Sequence, residues 1–199
     1  ITGGSSFNEV YFTDVVIPDS QRLGDVGDGW KVAITTLMNE RLAVGDANGA
    51  DVADALRWAK KQDDSGEPLI NNKSVRSSIA DWYCEANGLK NTKLRTMSAL
   101  SRGETPGPEA SITKIVSANK LQNIGAFGMD SLDMAGILKT DNPEIQSFQS
   151  AWLGAPGLRI AGGTDEILKN IIAERVLGLP QDARADKGMP YKDIPSGNS

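Results

Sequence analysis

Histidine is absent from this 199-residue chain, and cysteine occurs only once, at Cys84. Without histidine the chain cannot form a Ser-His-Asp triad, and the usual histidine-containing zinc sites are excluded, so we predict no metal site. A single cysteine excludes a disulfide within the chain and suits a reducing compartment, which we predict to be the cytoplasm. Any acid–base group must therefore be a carboxylate, a lysine, a tyrosine or the thiol.

Long apolar runs and an excess of positive charge are also missing. No apolar run approaches the roughly twenty residues that span a bilayer, so we predict no membrane span. The net charge of −5 makes a nucleic-acid partner unexpected. The remaining composition, 39% hydrophobic and 24% charged, is that of a globular domain. Because the sequence starts at Ile1, in what reads as the middle of an element, we expect it to be part of a longer protein.

The order of patterns along the chain predicts four regions. Residues 1–18 are rich in β-branched and aromatic residues and are predicted to end a β domain whose partner strands lie outside this chain. Residues 19–28 form a linker with several Gly and Asp residues. Residues 29–180 have helical periodicity. Residues 181–199 form a polar tail.

Helical periodicity predicts four main helices in 29–180: over 30–61, over 74–102 with Ser74 as N-cap, from 108 to about 125, and over 165–177. A shorter helix is predicted near 144–152. Two of the main helices are about thirty residues long, which favours helices packed side by side. The predicted fold class is therefore all-α, an antiparallel four-helix bundle preceded by a remnant of a β domain.

Glu40 is the first candidate catalytic residue. It lies between Leu37 and Val44 on the predicted apolar face of the first helix. Apolar surroundings disfavour the charged carboxylate and raise its pKa, which suits a general base near neutral pH. The structural alternative is an ion pair with Arg41, Lys31 or a neighbouring helix, and such pairs are commoner than active sites.

The stretch over 159–180, RIAGGTDEILKNIIAERVLGLP, is the most informative part of the sequence. A glycine pair allows the backbone to approach a ligand closely, and it leads directly into a short amphipathic helix. Thr164 is a good N-cap, and Glu166 lies in the first turn, where the helix dipole favours acids. From the residues alone, the stretch is either a helix start that faces a polar ligand or a well-capped structural helix.

This stretch resembles the C-terminal signature of acyl-CoA dehydrogenases, flavoenzymes that desaturate acyl-CoA thioesters, and the resemblance covers residues 7 to about 190. The best-known members carry a catalytic glutamate immediately before Gly-Thr, where this chain has Gly162. A minority, the isovaleryl and long-chain types, carry it on the first bundle helix before an arginine, which Glu40-Arg41 matches. The resemblance therefore implies that Glu40 is the base and that the backbone N–H of Gly162 holds the thioester oxygen.

The resemblance also implies FAD as the cofactor. In the family, the helix start after Gly-Thr touches FAD, which points to Thr164 and Glu166. A Gln-x-x-Gly-Gly element that contacts FAD bound in a neighbouring subunit corresponds to Gln122 and Gly125, with Ala126 in place of the second glycine. The implied reaction, in lipid metabolism, is the α,β-dehydrogenation of an acyl-CoA. The implied partners are electron-transferring flavoprotein and further subunits of a homo- or hetero-oligomer, either a dimer or a tetramer.

The loop over 62–73 departs from the family pattern. Gln62 stands where the family has arginine, Lys73 stands where it has glutamine, and Asp63 and Asp64 add negative charge that is unfavourable for a pyrophosphate. This departure leaves open a non-catalytic or half-site scaffold subunit of a hetero-oligomeric dehydrogenase. A flavin oxidase or monooxygenase on the same fold is a further alternative. We expect the fragment alone to be inactive.

Overall fold

A computed structural model gives the conformation of residues 4–5, 7–43, 49–61, 66–104, 107–184, 186 and 188–194, without the side chains of residues 38, 39, 41–43 and 191. This described part holds no β-strand and six α-helices: α1 Gly29–Ala43, α2 Val52–Ala59, α3 Lys73–Ser101, α4 Ala110–Leu132, α5 Pro143–Ile160 and α6 Asp165–Ile171. The all-α prediction is confirmed, with six helices in these ranges where the sequence predicts four main ones.

The prediction of one helix over 30–61 is wrong, because α1 ends at Ala43 and α2 begins at Val52. Asp51 starts α2 with a capping box. The Asp51 carboxylate accepts a hydrogen bond from the Asp54 N–H (2.9 Å), and the Asp54 carboxylate accepts one from the Asp51 N–H (2.8 Å). These bonds satisfy N–H groups that have no partner at a helix start, so a new helix begins there.

Four further helix features differ from the sequence prediction. The N-cap of α3 is Asn72 rather than Ser74, since the Asn72 side chain accepts from the Ser74 N–H at 2.8 Å. Helix α4 continues past Gly125 to Leu132, and α5 is twice as long as the helix predicted near 144–152. After Ile171 the α-helical bonding of α6 changes to a π-helical turn over Ile172–Val176.

Helix α4 lies between α3 and α5 and runs antiparallel to both. Gly125 of α4 lies against Trp152 of α5, whereas Gly128, further along α4, lies against Phe148, which comes earlier in α5. On the other side, the ring of Phe127 packs edge-on against Trp82 of α3 at 5.6 Å between centroids. The buried core between the helices consists of Ala50, Ala55, Ala59, Ile79, Trp82, Leu121, Ile124, Phe148, Ala151 and Ala155.

The segment before α1 forms no strand among its described residues, and its apolar side chains are exposed. Phe7 is fully exposed and Val16 is 90% exposed. Pairing of this segment with strands outside the chain stays a prediction. The apolar face of α1 is exposed as well, including Leu37 and Glu40, while Val44 lies outside the described residues. The predicted burial of Glu40 among apolar side chains is therefore wrong for this chain, since both Glu40 and Leu37 are exposed.

Candidate functional site

Two consecutive glycines make the turn between α5 and α6. Gly162 and Gly163 have φ angles of 66° and 106°, a region that residues with a Cβ rarely adopt. A Cβ at Gly163 would lie 3.3 Å from the Leu168 side chain, but a Cβ at Gly162 would meet nothing within 4 Å. The Thr164 hydroxyl accepts a hydrogen bond from the Ile167 N–H at 3.3 Å, so the predicted N-cap is confirmed. The turn thus leaves open space where Gly162 lacks a side chain, directly before a capped helix.

Lys114 of α4 lies beneath this turn and is completely buried. Its Nζ donates to the carbonyl oxygen of Gly163 at 2.7 Å and to that of Arg159 at 3.0 Å. The same Nζ lies 3.6 Å from Oδ1 of Asp165. Burying an ammonium is costly unless it is paired and hydrogen-bonded, and these three oxygens meet that need. One side chain therefore links the last turn of α5, the glycine turn and the first residue of α6.

Asp165 is the buried carboxylate of the site, with 2% of its surface exposed. Its Oδ2 accepts from Arg159 Nε at 2.7 Å and from Asn119 Nδ2 at 3.5 Å. Burial by itself would raise the pKa of Asp165, but the hydrogen bond and charge of Arg159 and the charge of Lys114 outweigh it and hold that pKa below the usual range. Asp165 is therefore ionised at neutral pH.

Gln122 joins the same group, because its Oε1 accepts a hydrogen bond from Arg159 Nη1 at 3.1 Å. Gly125 has a different environment: it is buried inside α4, and a Cβ there would lie only 2.6 Å from the backbone nitrogen of Trp152. Close helix packing is thus sufficient to explain this glycine. We call the side chains that meet beneath the glycine turn the polar cluster: Lys114, Asn119, Gln122, Arg159 and Asp165.

Glu166 and Glu40 lie outside the polar cluster. Glu166 is exposed in the first turn of α6, where hydrogen bonds from its own backbone N–H and from the Thr164 hydroxyl lower its pKa. Glu40 is exposed on α1 and makes none of the hydrogen bonds that join the cluster. Gln122 is therefore linked through Arg159 to Asp165, the residue next to Thr164, whereas Glu40 lies on a separate helix.

The sequence profile of the acyl-CoA dehydrogenase C-terminal domain matches residues 27–177, well over half of the chain. The chain belongs to the acyl-CoA dehydrogenase family. It is 34% identical over 188 residues to the acyl-CoA dehydrogenase IpdE1 of Mycolicibacterium smegmatis, which covers 92% of this chain and 45% of that protein. It is 32% identical over 183 residues to the acyl-CoA dehydrogenase FadE34 of Mycobacterium tuberculosis, covering 91% of this chain and 24% of that protein.

Solved structures agree with this assignment. The ChsE4–ChsE5 complex from Mycobacterium tuberculosis matches with a TM-score of 0.65 at 25% identity, over 86% of this chain and 46% of the matched chain. For fold alone, the acyl-CoA dehydrogenase from Geobacillus kaustophilus matches with a TM-score of 0.68 at 21% identity, over 82% of this chain and 43% of that chain. The chain spans less than half the length of the relatives cited here.

Of the polar cluster, sequence reasoning about family motifs predicted only Gln122 as a site residue and missed Lys114, Asn119, Arg159 and Asp165. A signal for Lys114 was present, since it shares one helical face with Ala110, Ala118 and Leu121, all of which are buried. A lysine on a buried helical face needs oxygen partners, which the sequence spacing alone does not name. Asn119 carried no comparable signal.

The loop over 62–73, which departs from the family pattern, lies only partly within the described residues. Gln62, Asp63 and Asp64 lie outside the described residues, whereas Lys73 is exposed as the first residue of α3.

Among the residues whose positions are given, no group of three or more acidic or cysteine side chains could hold a metal ion. None of the helices in those ranges is long and apolar enough to cross a membrane.

Proposed function

We propose that this chain is the C-terminal domain of an FAD-dependent acyl-CoA dehydrogenase that removes hydrogens from the α and β carbons of an acyl-CoA thioester. The observation that carries the proposal is the open turn at Gly162. Lys114 of the polar cluster holds this turn through its hydrogen bond to the Gly163 carbonyl. A backbone N–H presented without a covering side chain can donate to a developing negative charge on an oxygen atom. Family membership supplies the class of substrate.

Removal of the α-proton defines what this chain must provide. The α-proton of a thioester is weakly acidic, so a positioned base and stabilisation of the enolate oxygen are both required. In our proposal, Glu40 takes the proton and the N–H of Gly162 donates to the thioester oxygen. The exposed position of Glu40 on α1 is compatible with direct contact between its carboxylate and a substrate. Gly162 itself cannot be the base, since it has no side chain.

The residues near the turn are compatible with one edge of an FAD site. Thr164 and Glu166 begin α6 beside the open glycine turn, and Gln122 lies within the same cluster. FAD, when bound, would accept the β-hydrogen as a hydride. Because Gly125 is covered by α5, the proposal for FAD rests on Gln122, Thr164 and Glu166. We further propose electron-transferring flavoprotein as the electron acceptor.

The test is Glu40→Gln in the intact protein that contains this domain. We expect FAD to remain bound with an unchanged visible spectrum, while dehydrogenation falls by about 10²–10⁴-fold, the usual contribution of a general base. Glu85→Gln, an equivalent change at an exposed position on α3, serves as the control and should stay close to wild type. Turnover by Glu40→Gln at nearly the wild-type rate would remove Glu40 from the mechanism.

A half-site subunit of a hetero-oligomer is the second candidate function. The similarity to the ChsE4–ChsE5 complex and the exposed Lys73, where the family has glutamine, favour it. It predicts that the intact protein purifies without flavin when expressed alone, and gains flavin and activity when co-expressed with an unlike dehydrogenase subunit. Flavin and activity in a homomer would exclude this candidate. Rapid oxygen consumption without an added acceptor would instead favour the oxidase alternative.

A further inference from the structure

We infer that Lys114 is a positioning residue for the dehydrogenation: its ammonium fixes the Gly162–Gly163 turn so that the N–H of Gly162 is aimed at the thioester oxygen. The inference rests on the proposed function. The group that touches the substrate is the backbone of Gly162, and Lys114 acts through that backbone.

The two short hydrogen bonds of Lys114 lie on either side of the peptide group that carries this N–H. The carbonyl of Arg159 comes before the Ala161–Gly162 peptide, and the carbonyl of Gly163 comes after it. Glycine can adopt many backbone conformations, so two consecutive glycines do not fix the direction of an N–H. Two bonds from a single buried ammonium supply the missing constraint at both ends of the turn.

Neutralising Asp165 does not explain Lys114. Arg159 already pairs with Asp165 at 2.7 Å, while Lys114 stays at 3.6 Å from that carboxylate. The shorter contacts of Lys114, at 2.7 and 3.0 Å, are with neutral carbonyl oxygens of the turn and of α5. Buried charge pairs are often no more stabilising than apolar residues of similar volume. The direction of the Lys114 bonds therefore points to the turn as the object that is held.

Burial makes Lys114 better suited to this role than Arg159. The side chain of Lys114 is 1% exposed, whereas that of Arg159 is 40% exposed. Hydrogen bonds sheltered from water act in a lower effective dielectric and are stronger for it. Lys114 also projects from the N-terminal part of the central helix α4, which packs against α5 and α6. The turn is thus anchored to the most enclosed helix of the domain.

The test compares Lys114→Met with Lys120→Met in the intact, FAD-loaded protein. Both changes replace a lysine of α4 by an unbranched apolar residue, but Lys120 faces Glu85 and Asp51 rather than the turn. We expect Lys114→Met to lower kcat by about 10–100-fold, because small misplacements of reacting groups have effects of that size, and to change KM by less than about threefold. Lys120→Met should leave both values close to wild type.

A spectroscopic readout separates positioning from general destabilisation. In the wild type, the infrared carbonyl stretch of a bound, unreactive acyl-CoA analogue should lie below its value in water, owing to the Gly162 hydrogen bond. In Lys114→Met it should move back towards the value in water. Lys114→Gln, which is one atom shorter and cannot reach both carbonyls, is expected to fall between the two. It is also the variant to use if the methionine variant does not fold.

The possible outcomes distinguish a failure of the positioning role from a failure of the proposed function. A folded Lys114→Met or Lys114→Gln protein with wild-type kcat and carbonyl frequency overturns the positioning role, even if the wild type is an active dehydrogenase. A wild-type protein that binds FAD but neither binds nor oxidises any acyl-CoA overturns the proposed function, and the positioning role with it. A loss of kcat matched by the carbonyl shift supports both.

Discussion

Gly125→Ala tests whether α4 and α5 pack as closely as the structure shows at Gly125. The added Cβ would lie 2.6 Å from the Trp152 nitrogen and 3.0 Å from the Ala151 carbonyl carbon, whereas ordinary contact begins at 3.4 Å. The atoms in the way belong to the backbone of α5 and cannot rotate aside. The two helices must therefore separate by several tenths of an ångström, and the tight core between them must open.

The expected change in the free energy of unfolding of Gly125→Ala follows from two opposed effects. Alanine is preferred to glycine in a helix interior by about 1 kcal/mol, which favours the variant. Overpacking a well-filled core costs about 1–3 kcal/mol, and a backbone obstacle belongs at the upper end of that range. We therefore expect the free energy of unfolding to fall by about 1–2 kcal/mol in Gly125→Ala.

Urea unfolding followed by far-ultraviolet circular dichroism measures this change, and Gly88→Ala is the matched control. Gly88 lies on the exposed side of α3, where a Cβ would meet nothing within 4 Å, so the same substitution should stabilise by about 0.5–1 kcal/mol. Opposite signs at the two glycines are the expected result. If Gly125→Ala stabilised the protein as much as Gly88→Ala, the tight α4–α5 contact and the reasoning from it would be refuted.

Two further predictions concern the start of α6. Thr164→Ala should lower the free energy of unfolding by about 1 kcal/mol through loss of the N-cap, whereas Thr164→Ser should stay near wild type in thermal unfolding. The lowered pKa of Asp165 stabilises the fold above its unfolded pKa, and this stability is lost as pH falls through the lower folded pKa. The stability difference between wild type and Asp165→Asn should be constant above about pH 5 and shrink below about pH 4, as urea titrations at several pH values would show. A difference that does not vary with pH would refute a role for the Asp165 charge.

Features that depend on neighbouring residues were predictable from the sequence. Thr164 caps α6 as expected, since an N-cap is a bond between residues three positions apart. The helix predicted over 74–102 matches α3 to within one residue at each end. The one-residue difference at its start arises because Asn72 caps the helix before Ser74 can. Hydrogen bonds between residues close in sequence were sufficient to predict these helices and their caps.

Features that depend on distant or external contacts were not predictable. The break before α2 rests on reciprocal bonds of Asp51 and Asp54, while the helical periodicity continues across it. The partners of Lys114 are carbonyl oxygens 45 and 49 residues further along the chain, and a carbonyl is present in every residue. The exposure of Glu40 depends on which elements pack against α1, and helical spacing alone does not give this.

The polar cluster bears on why a dehydrogenase could work with glycine at position 162. A glutamate there would place the base and the oxygen-binding N–H on one residue, with a side chain to restrict its backbone. With glycine, the N–H remains but its backbone becomes free to adopt more conformations. If the base is Glu40, on a helix outside the polar cluster, the turn retains only the task of orienting the N–H. That task requires rigidity from elsewhere in the fold, and the buried ammonium of Lys114 is placed to provide it.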